Sequence, residues 1–291
     1  MRVADLGEFG LLRELESRAL LLDPSREGAW IDVNVITQDV LVEGVHFRRE
    51  WTAWRDLGYK SAAVNLSDLA AMCAEPQGLL VTLCLPPETG VEDVLELYEG
   101  LNEPGFPVLG GDTTSAPLLS IGVTALGRSD RVPGRAGALP GNTLVVTGPL
   151  GGAAAGLYAL EQGLEGFDEL VRAFNRPPYR LEEGRRLGSA LALIDLSDGI
   201  AGDAARIAER SRCKLVIEVG RLPLFPRIGE VADLPFWTLG EDYELLAALS
   251  SDDARATGFP AVGHCEEGSG VELLLHGEPL DVAGWDHFRS R

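Results

Sequence analysis

The stretch AVNLSDLAAM, residues 63–72, reads as a helix of small and apolar residues with Asn65, Ser67 and Asp68 in its middle. Ala and Leu favour a helix, whereas Asn, Ser and Asp compete for backbone hydrogen bonds and belong at caps or turns. Asn65 and Asp68 are three residues apart and project from one helix face. Ala62, Ala63, Ala70 and Ala71 around them imply close packing. A carboxylate in such a place must be neutralised, hydrogen-bonded or metal-bound. An exposed polar stripe is the plain alternative.

Outward from this helix, residues 31–47 alternate Ile31, Val33 and Val35 with polar neighbours, a strand pattern. The helix itself is expected over 54–74, a buried strand over 78–87 and a second helix over 91–101. Residues 106–127 read as strand, turn, strand. The order β-α-β-α-β-β describes an α+β layer with an antiparallel component. Residues 7–22 read as a short amphipathic helix. RAGALPGN (135–142) is a boundary, so an α/β (α+β) chain of two domains, 1–136 and 137–291, is expected. The second domain offers strands at 143–148, 191–196, 214–219, 244–250 and 271–277. Its helices are expected at 152–162, after 168, and within 197–211.

The chain carries 45 acidic against 25 basic residues, a net charge of -20, which argues against a nucleic-acid partner because a phosphate backbone needs a basic face. No run of eighteen apolar residues offers a membrane span, and the N-terminus lacks the order of a signal peptide. The four cysteines are scattered with no CxxC pair, as expected of reduced thiols in a cytoplasmic protein.

Carboxylates carry the chemistry. Asp195 ends a buried strand, the edge where α/β folds bind ligands, and Ser197 or Asp198 suits the cap of the following helix. One cap does not need two carboxylates. Asp112 follows two glycines, and GGDTT reads equally as a β-turn. Asp39 lies in a strand and reads equally as a solvent-facing residue. Together Asp39, Asp68, Asp112, Asp195 and Asp198 suit a hard divalent cation with oxygen ligands. No Cys/His zinc spacing occurs, and GPLGGAAAG (148–156) lacks the lysine of a phosphate-binding P-loop.

The segments GEFG, TQDVLVEGVHF, YKSAAVNLSDLAAMCAEP, LGGDTTSAP, IDLSDGI, GEDYELL and WDHF occur in this order. In combination they resemble the thiamine-monophosphate kinase family nearly end to end. The resemblance implies the two-domain fold of the aminoimidazole ribonucleotide synthetase superfamily. Its N-terminal domain binds ATP and metal and dimerises. It implies direct transfer of the γ-phosphoryl group of ATP to thiamine monophosphate, giving thiamine diphosphate, with several magnesium ions and room for a monovalent cation. By the same resemblance Asp39, Asp68, Asp112, Asp195 and Asp198 are magnesium ligands. Thr37 and Gln38 fall at further metal-site positions, with Gln38 replacing the family's usual Thr. Gly111, Asp112, Arg135 and Ser197 match nucleotide contacts. His46, Glu241 and Trp285 match contacts to the thiamine substrate. Tyr98 reads equally as a nucleotide contact or as packing.

One segment departs from the family. Its GDDAA stretch is matched here by ESRALLLDP, which puts Ser17 and Arg18 where two aspartates stand. A non-catalytic nucleotide- or thiamine-phosphate-binding homodimer is therefore the alternative expectation.

Overall fold

The computed structural model describes residues 29–280 together with Glu14, Ser17 and Arg18. The helix expected over 7–22 therefore lies mostly outside the described residues.

The first half is a five-stranded sheet in the order β1-β2-β5-β3-β4. β1 (Ala29–Ile31) and β2 (Asn34–Val42) form a hairpin where a single strand was expected. The chain turns at Asp32, whose left-handed backbone (φ 58°) suits a short polar side chain. Then come α1 (Trp54–Ala71), β3 (Glu75–Leu85), α2 (Val91–Asn102), β4 (Val108–Ser115) and β5 (Ser120–Arg128). β3 and β4 are parallel, with α2 as their crossover, and the other pairs are antiparallel. GGDTT is part of β4 rather than a turn. Gly111 is required there because a Cβ would fall 1.8 Å from the Val81 carbonyl oxygen of the neighbouring strand.

The second half is a seven-stranded sheet in the order β12-β11-β8-β10-β6-β9-β7. Its strands are β6 (Thr143–Val146), β7 (Ala192–Asp195), β8 (Lys214–Glu218), β9 (Leu245–Leu249), β10 (Ala261–Glu266), β11 (Gly270–Leu275) and β12 (Glu278–Leu280). Its helices are α3 (Gly152–Gln162), α4 (Asp168–Asn175), α5 (Leu181–Arg186), α6 (Ile200–Ser211), α7 (Ile228–Val231) and α8 (Ser251–Thr257).

The two halves share one core. Leu57, Leu66, Leu69 and Met72 of α1 and its C-terminus pack with Leu79, Val81, Ile121 and Val123 of the first sheet. The same cluster continues into Val145, Leu193, Ala247 and Leu249 of the second sheet. So α1 is a central helix sandwiched between sheets, and it is buried on nearly every side. A helix in that position has little solvent face, chiefly at Arg55 in its first turn, and needs no amphipathic pattern. A separate core, including Leu144, Ile194, Ile207 and Leu246, lies beneath α6 on the far face of the second sheet.

Helices α1 and α2 cross at two glycines. A Cβ on Gly58 would lie 1.9 Å from the Leu97 carbonyl oxygen, and one on Gly100 would lie 1.9 Å from that of Arg55. Helix propensity alone predicts that Gly58→Ala stabilises α1 by about 1 kcal/mol. The crossing predicts the opposite sign, a loss of about 1–3 kcal/mol from overpacking against backbone. Urea denaturation of Gly58→Ala decides between them, and equal or raised stability would refute the close crossing.

Candidate functional site

The polar residues of the central helix each meet a different element. Asn65 Oδ1 accepts the Asp39 backbone N–H at 3.1 Å, and its Nδ2 donates to the Ser61 carbonyl at 3.0 Å. β1 pairs with β2 only as far as Ile36. Beyond it, among the described residues, β2 has no strand on that side, and Asn65 supplies a partner to its backbone there. Ser67 Oγ donates to Asp195 Oδ2 at 2.7 Å, joining α1 to the end of β7 in the other half. Asp68, one residue further round, is only half-buried and faces a cavity.

That cavity, of about 270 Å³, lies between the halves. Gln38, Asp39, His46 and Asp68 line it from the first half; Asp195, Ser197, Asp198 and Glu241 line it from the second. Thr37, Gly111, Asp112 and Arg135 do not line it. Thr37 is buried beneath β2, where its Oγ1 donates to the Asn65 carbonyl at 3.3 Å. Gly111 and Asp112 are exposed on β4, and Arg135 lies in the connection between the halves, its carbonyl accepting from Ser211 Oγ at 2.8 Å. Tyr98 is half-buried on α2 and packs against the shared core. Trp285 lies outside the described residues.

Two loops, 196–199 and 238–244, form the second-half wall, and they are pressed back to back. A Cβ on Gly199 (φ 89°) would lie 2.1 Å from the Thr238 carbonyl oxygen, and one on Gly240 (φ 85°) would lie 2.2 Å from that of Ser197. The Glu241 and Tyr243 N–H groups donate to the carbonyls of Ser197 and Leu196 at 2.8 and 3.0 Å, and the Leu196 N–H donates back to the Glu244 carbonyl at 2.8 Å. Glu241 and Tyr243 are both held at positive φ (60° and 51°), a cost non-glycine residues bear only where neighbours over-determine them. On the other wall, the Val42 N–H donates to His46 Nδ1 at 3.1 Å, which assigns the ring proton to Nε2.

Behind the carboxylates stand residues that the motif reading did not single out. Arg206 of α6 ion-pairs with Asp198, and its Nε lies 3.9 Å from Asp203 Oδ1. Asp203 is fully buried, and its Oδ2 accepts the Asp198 N–H at 2.9 Å. Burial, and then the charge of Asp198, hold its carboxyl well above the usual carboxylate range. Lys60, with no exposed side-chain surface, donates to Glu241 Oε2 at 2.7 Å. Its presence as one of two lysines in the chain, inside an apolar helix, was the available signal. Nothing in the local sequence marks Phe174 or Tyr243, which also line the cavity.

The donor set fits magnesium. Five carboxylates, Asp39, Asp68, Asp195, Asp198 and Glu241, all hard oxygen donors, line one cavity. Among the described residues no group of three or more His, Cys, Asp or Glu side chains is placed to hold a metal ion by itself. Magnesium characteristically takes one or two carboxylates and completes its shell with waters and phosphate oxygens, which an open arrangement of this kind allows.

Residues 26–129 match the AIR synthase related protein N-terminal domain, and residues 140–261 match the corresponding C-terminal domain. The chain is 32% identical to the thiamine-monophosphate kinase of Aquifex aeolicus over 99% of its length and 100% of that relative. It is 36% identical to the Escherichia coli K12 thiamine-monophosphate kinase over 88% of this chain and 86% of that one. The solved structure of AaThiL complexed with AMPPCP and TMP superposes with a TM-score of 0.91 at 30% identity, covering 99% of each chain.

Asp242, beside Glu241, generates a prediction. Its carboxylate is buried and accepts the Gly151 N–H at 2.7 Å. Burial nevertheless raises its pKa from 3.8 to about 7, against the lowering effect of the Gly151 and Ala153 N–H groups. A carboxyl raised in the folded state contributes stability that is full below its unfolded value and lost as pH rises through its folded value. Between pH 5 and 8 the stability of Asp242→Asn relative to wild type should therefore improve by about 2–3 kcal/mol. Denaturant titrations of both proteins at the two pH values measure this, and a pH-independent difference would contradict it.

Proposed function

The chain belongs to the thiamine-monophosphate kinase family, and from that premise we propose that it transfers the γ-phosphoryl group of ATP to thiamine monophosphate, with ADP and thiamine diphosphate as products. The observation that carries this is the convergence of Asp39, Asp68, Asp195 and Asp198, from both halves, on one cavity that His46 and Glu241 also line. A site of this kind performs phosphoryl transfer by positioning and electrostatics, with little covalent chemistry for the protein to do.

Asp39, Asp68, Asp195 and Asp198 would hold magnesium, with Gln38 beside them; Thr37 stands behind the strand with its hydroxyl on the Asn65 carbonyl. Bound magnesium neutralises phosphate charge and aligns the attacking and leaving oxygens. Ser67 orients Asp195 through its hydroxyl, and Asn65 fixes the strand that carries Asp39. Gly111, Asp112 and Arg135 are assigned to the nucleotide, and His46, Glu241 and Trp285 to the acceptor. The Glu241 carboxylate faces a substrate with a cationic ring, for which it is the complementary charge. Ser197 presents its backbone where the two loops meet. The four free thiols are consistent with a reducing, cytoplasmic setting.

The non-catalytic alternative turned on Arg18. That side chain pairs with Glu14 at 2.8 Å through Nε, is 66% exposed, and does not line the cavity.

The working form is proposed to be a homodimer through the first sheet. One face of that sheet is covered by α1 and α2. Among the described residues Val40 (52%), Leu80 (40%) and Leu109 (55%) are exposed on the rest of it, and β4 is an edge strand. An uncovered apolar sheet with a free edge is a template for pairing. Light scattering at micromolar concentration should return twice the 31.1 kDa chain mass, and a monomer would remove this part of the reading.

Incubation with ATP, magnesium and thiamine monophosphate should yield one thiamine diphosphate per ADP; ADP without thiamine diphosphate would refute the assignment. Asp68→Asn keeps the shape but loses a charge. At limiting magnesium it should lower turnover roughly 10- to 100-fold. Folding stability should stay within about 0.5 kcal/mol or rise, because one of several like charges is gone. Near-normal turnover in that variant would exclude Asp68 as a ligand.

A further inference from the structure

Lys60 is the largest group in the shared core whose burial the phosphoryl chemistry does not explain. Its side chain has no exposed surface, though it ends in an ammonium. Lysine is almost never buried in this way unless it is paired, since an isolated buried charge costs far more than it returns. Its three surroundings are specific. Nζ donates to Glu241 Oε2 at 2.7 Å and to the His46 backbone carbonyl at 3.4 Å, and it sits 3.8 Å from the centre of the Phe174 ring. Glu241 and His46 are on opposite walls of the cavity, in different halves of the chain. Phe174, on α4, also lines that cavity. One ammonium therefore ties together three cavity-lining residues around a single point.

The pair is lopsided in exposure. Lys60 is wholly enclosed, while the Glu241 side chain keeps 26% of its surface open. Lys60 holds Oε2 and leaves the other carboxylate oxygen for whatever enters the cavity. An unanchored glutamate has three rotatable bonds and would lose rotamer freedom on binding a ligand. A glutamate clamped by a buried ammonium and a left-handed backbone has already lost it.

We infer that Lys60 is a positioning residue for the acceptor substrate: it fixes the Glu241 carboxylate and the His46 segment at the acceptor end of the cleft, and so sets the affinity for thiamine monophosphate without touching the transferred phosphoryl group. This rests on the kinase reading above and goes beyond it in assigning a role to a residue that reaches the substrate only through others.

The test is a double-mutant cycle of wild type, Lys60→Met, Glu241→Gln and the double variant. Each is assayed for kcat, for KM of thiamine monophosphate and for KM of ATP, with a thermal melt of each. Lys60→Met should raise the acceptor KM roughly tenfold to a hundredfold, the range for losing a hydrogen bond to a charged group. The KM of ATP should stay within about twofold. The Lys60 effect should be clearly smaller in the Glu241→Gln background, since Lys60 acts in large part through that carboxylate. If Lys60→Met does not fold, Lys60→Gln, which retains a donor without the charge, takes its place in the cycle. An unchanged acceptor KM, equal rises in both KM values, or effects of the two substitutions that multiply independently would each overturn the inference. The wild-type assay separates the two levels. No thiamine diphosphate from wild type defeats the kinase reading and the inference with it. A normal wild type matched by Lys60→Met defeats the inference alone.

Discussion

The structure depends on a single constraint: beyond its first turn and a half α1 has almost no face to give to water. It lies between two sheets, and the cores on its two sides are continuous. Every polar atom on it must then be satisfied by a neighbouring element. Asn65 does so with β2, Ser67 with β7, and Lys60 with the 238–244 loop. These three contacts place both walls of the cleft relative to one rigid rod. Small residues make this workable. The alanines and Gly58 bring neighbouring backbones near enough for short side chains such as Asn and Ser to reach them.

The electrostatics follow from the same arrangement. Several carboxylates converge on the cavity, and their mutual repulsion has to be offset when no cation is bound. Arg206 against Asp198 and Asp203, and Lys60 against Glu241, place fixed positive groups behind the acids. Arg180 does the same for the buried Glu244 one residue beyond the 240–243 turn. Lys60 is thus enclosed in the wall, whereas Arg206 also reaches the cavity beside Asp198. On the proposed reading, a chain of net charge -20 offers a site for phosphate esters through bound divalent cations, not through a basic surface.

Much of this was legible in the sequence, for identifiable reasons. The long helices and buried strands stand out because apolar residues recur at helical or strand spacing. Asp195 and Asp198 stand out because a strand ends in one and a helix starts after the other. Asp68 stands out as a carboxylate among alanines. What was hidden is non-local. GGDTT looks like a turn because glycine and aspartate favour turns, yet Gly111 is there to let β4 lie against Val81. The hairpin at Asp32 was masked by apolar residues that continue the alternation on both sides. Arg206 and Phe174 are ordinary helix residues locally, and only the packing of the second half on α1 brings them to the cavity. Lys60 was visible as an anomaly, but its partner lies 181 positions away.

The strained turn at 240–243 shows how the second half builds its wall of the cleft. Holding Glu241 and Tyr243 at positive φ costs of order 1–3 kcal/mol for each. A free surface loop would relax. Here the loop cannot, because Gly240 sits against the Ser197 carbonyl, Gly199 sits against that of Thr238, and three backbone hydrogen bonds lock the two loops together. The bracing delivers two side chains from one short segment in opposite directions. Asp242 turns back to the N–H groups at the start of α3, and Glu241 turns forward to Lys60. A regular strand alternates its side chains but could not also bring the Glu241 N–H onto Ser197. The strain is the conformational cost of presenting one carboxylate to the cavity while its neighbour anchors the loop, and the buried ammonium of α1 fixes the first of them in place.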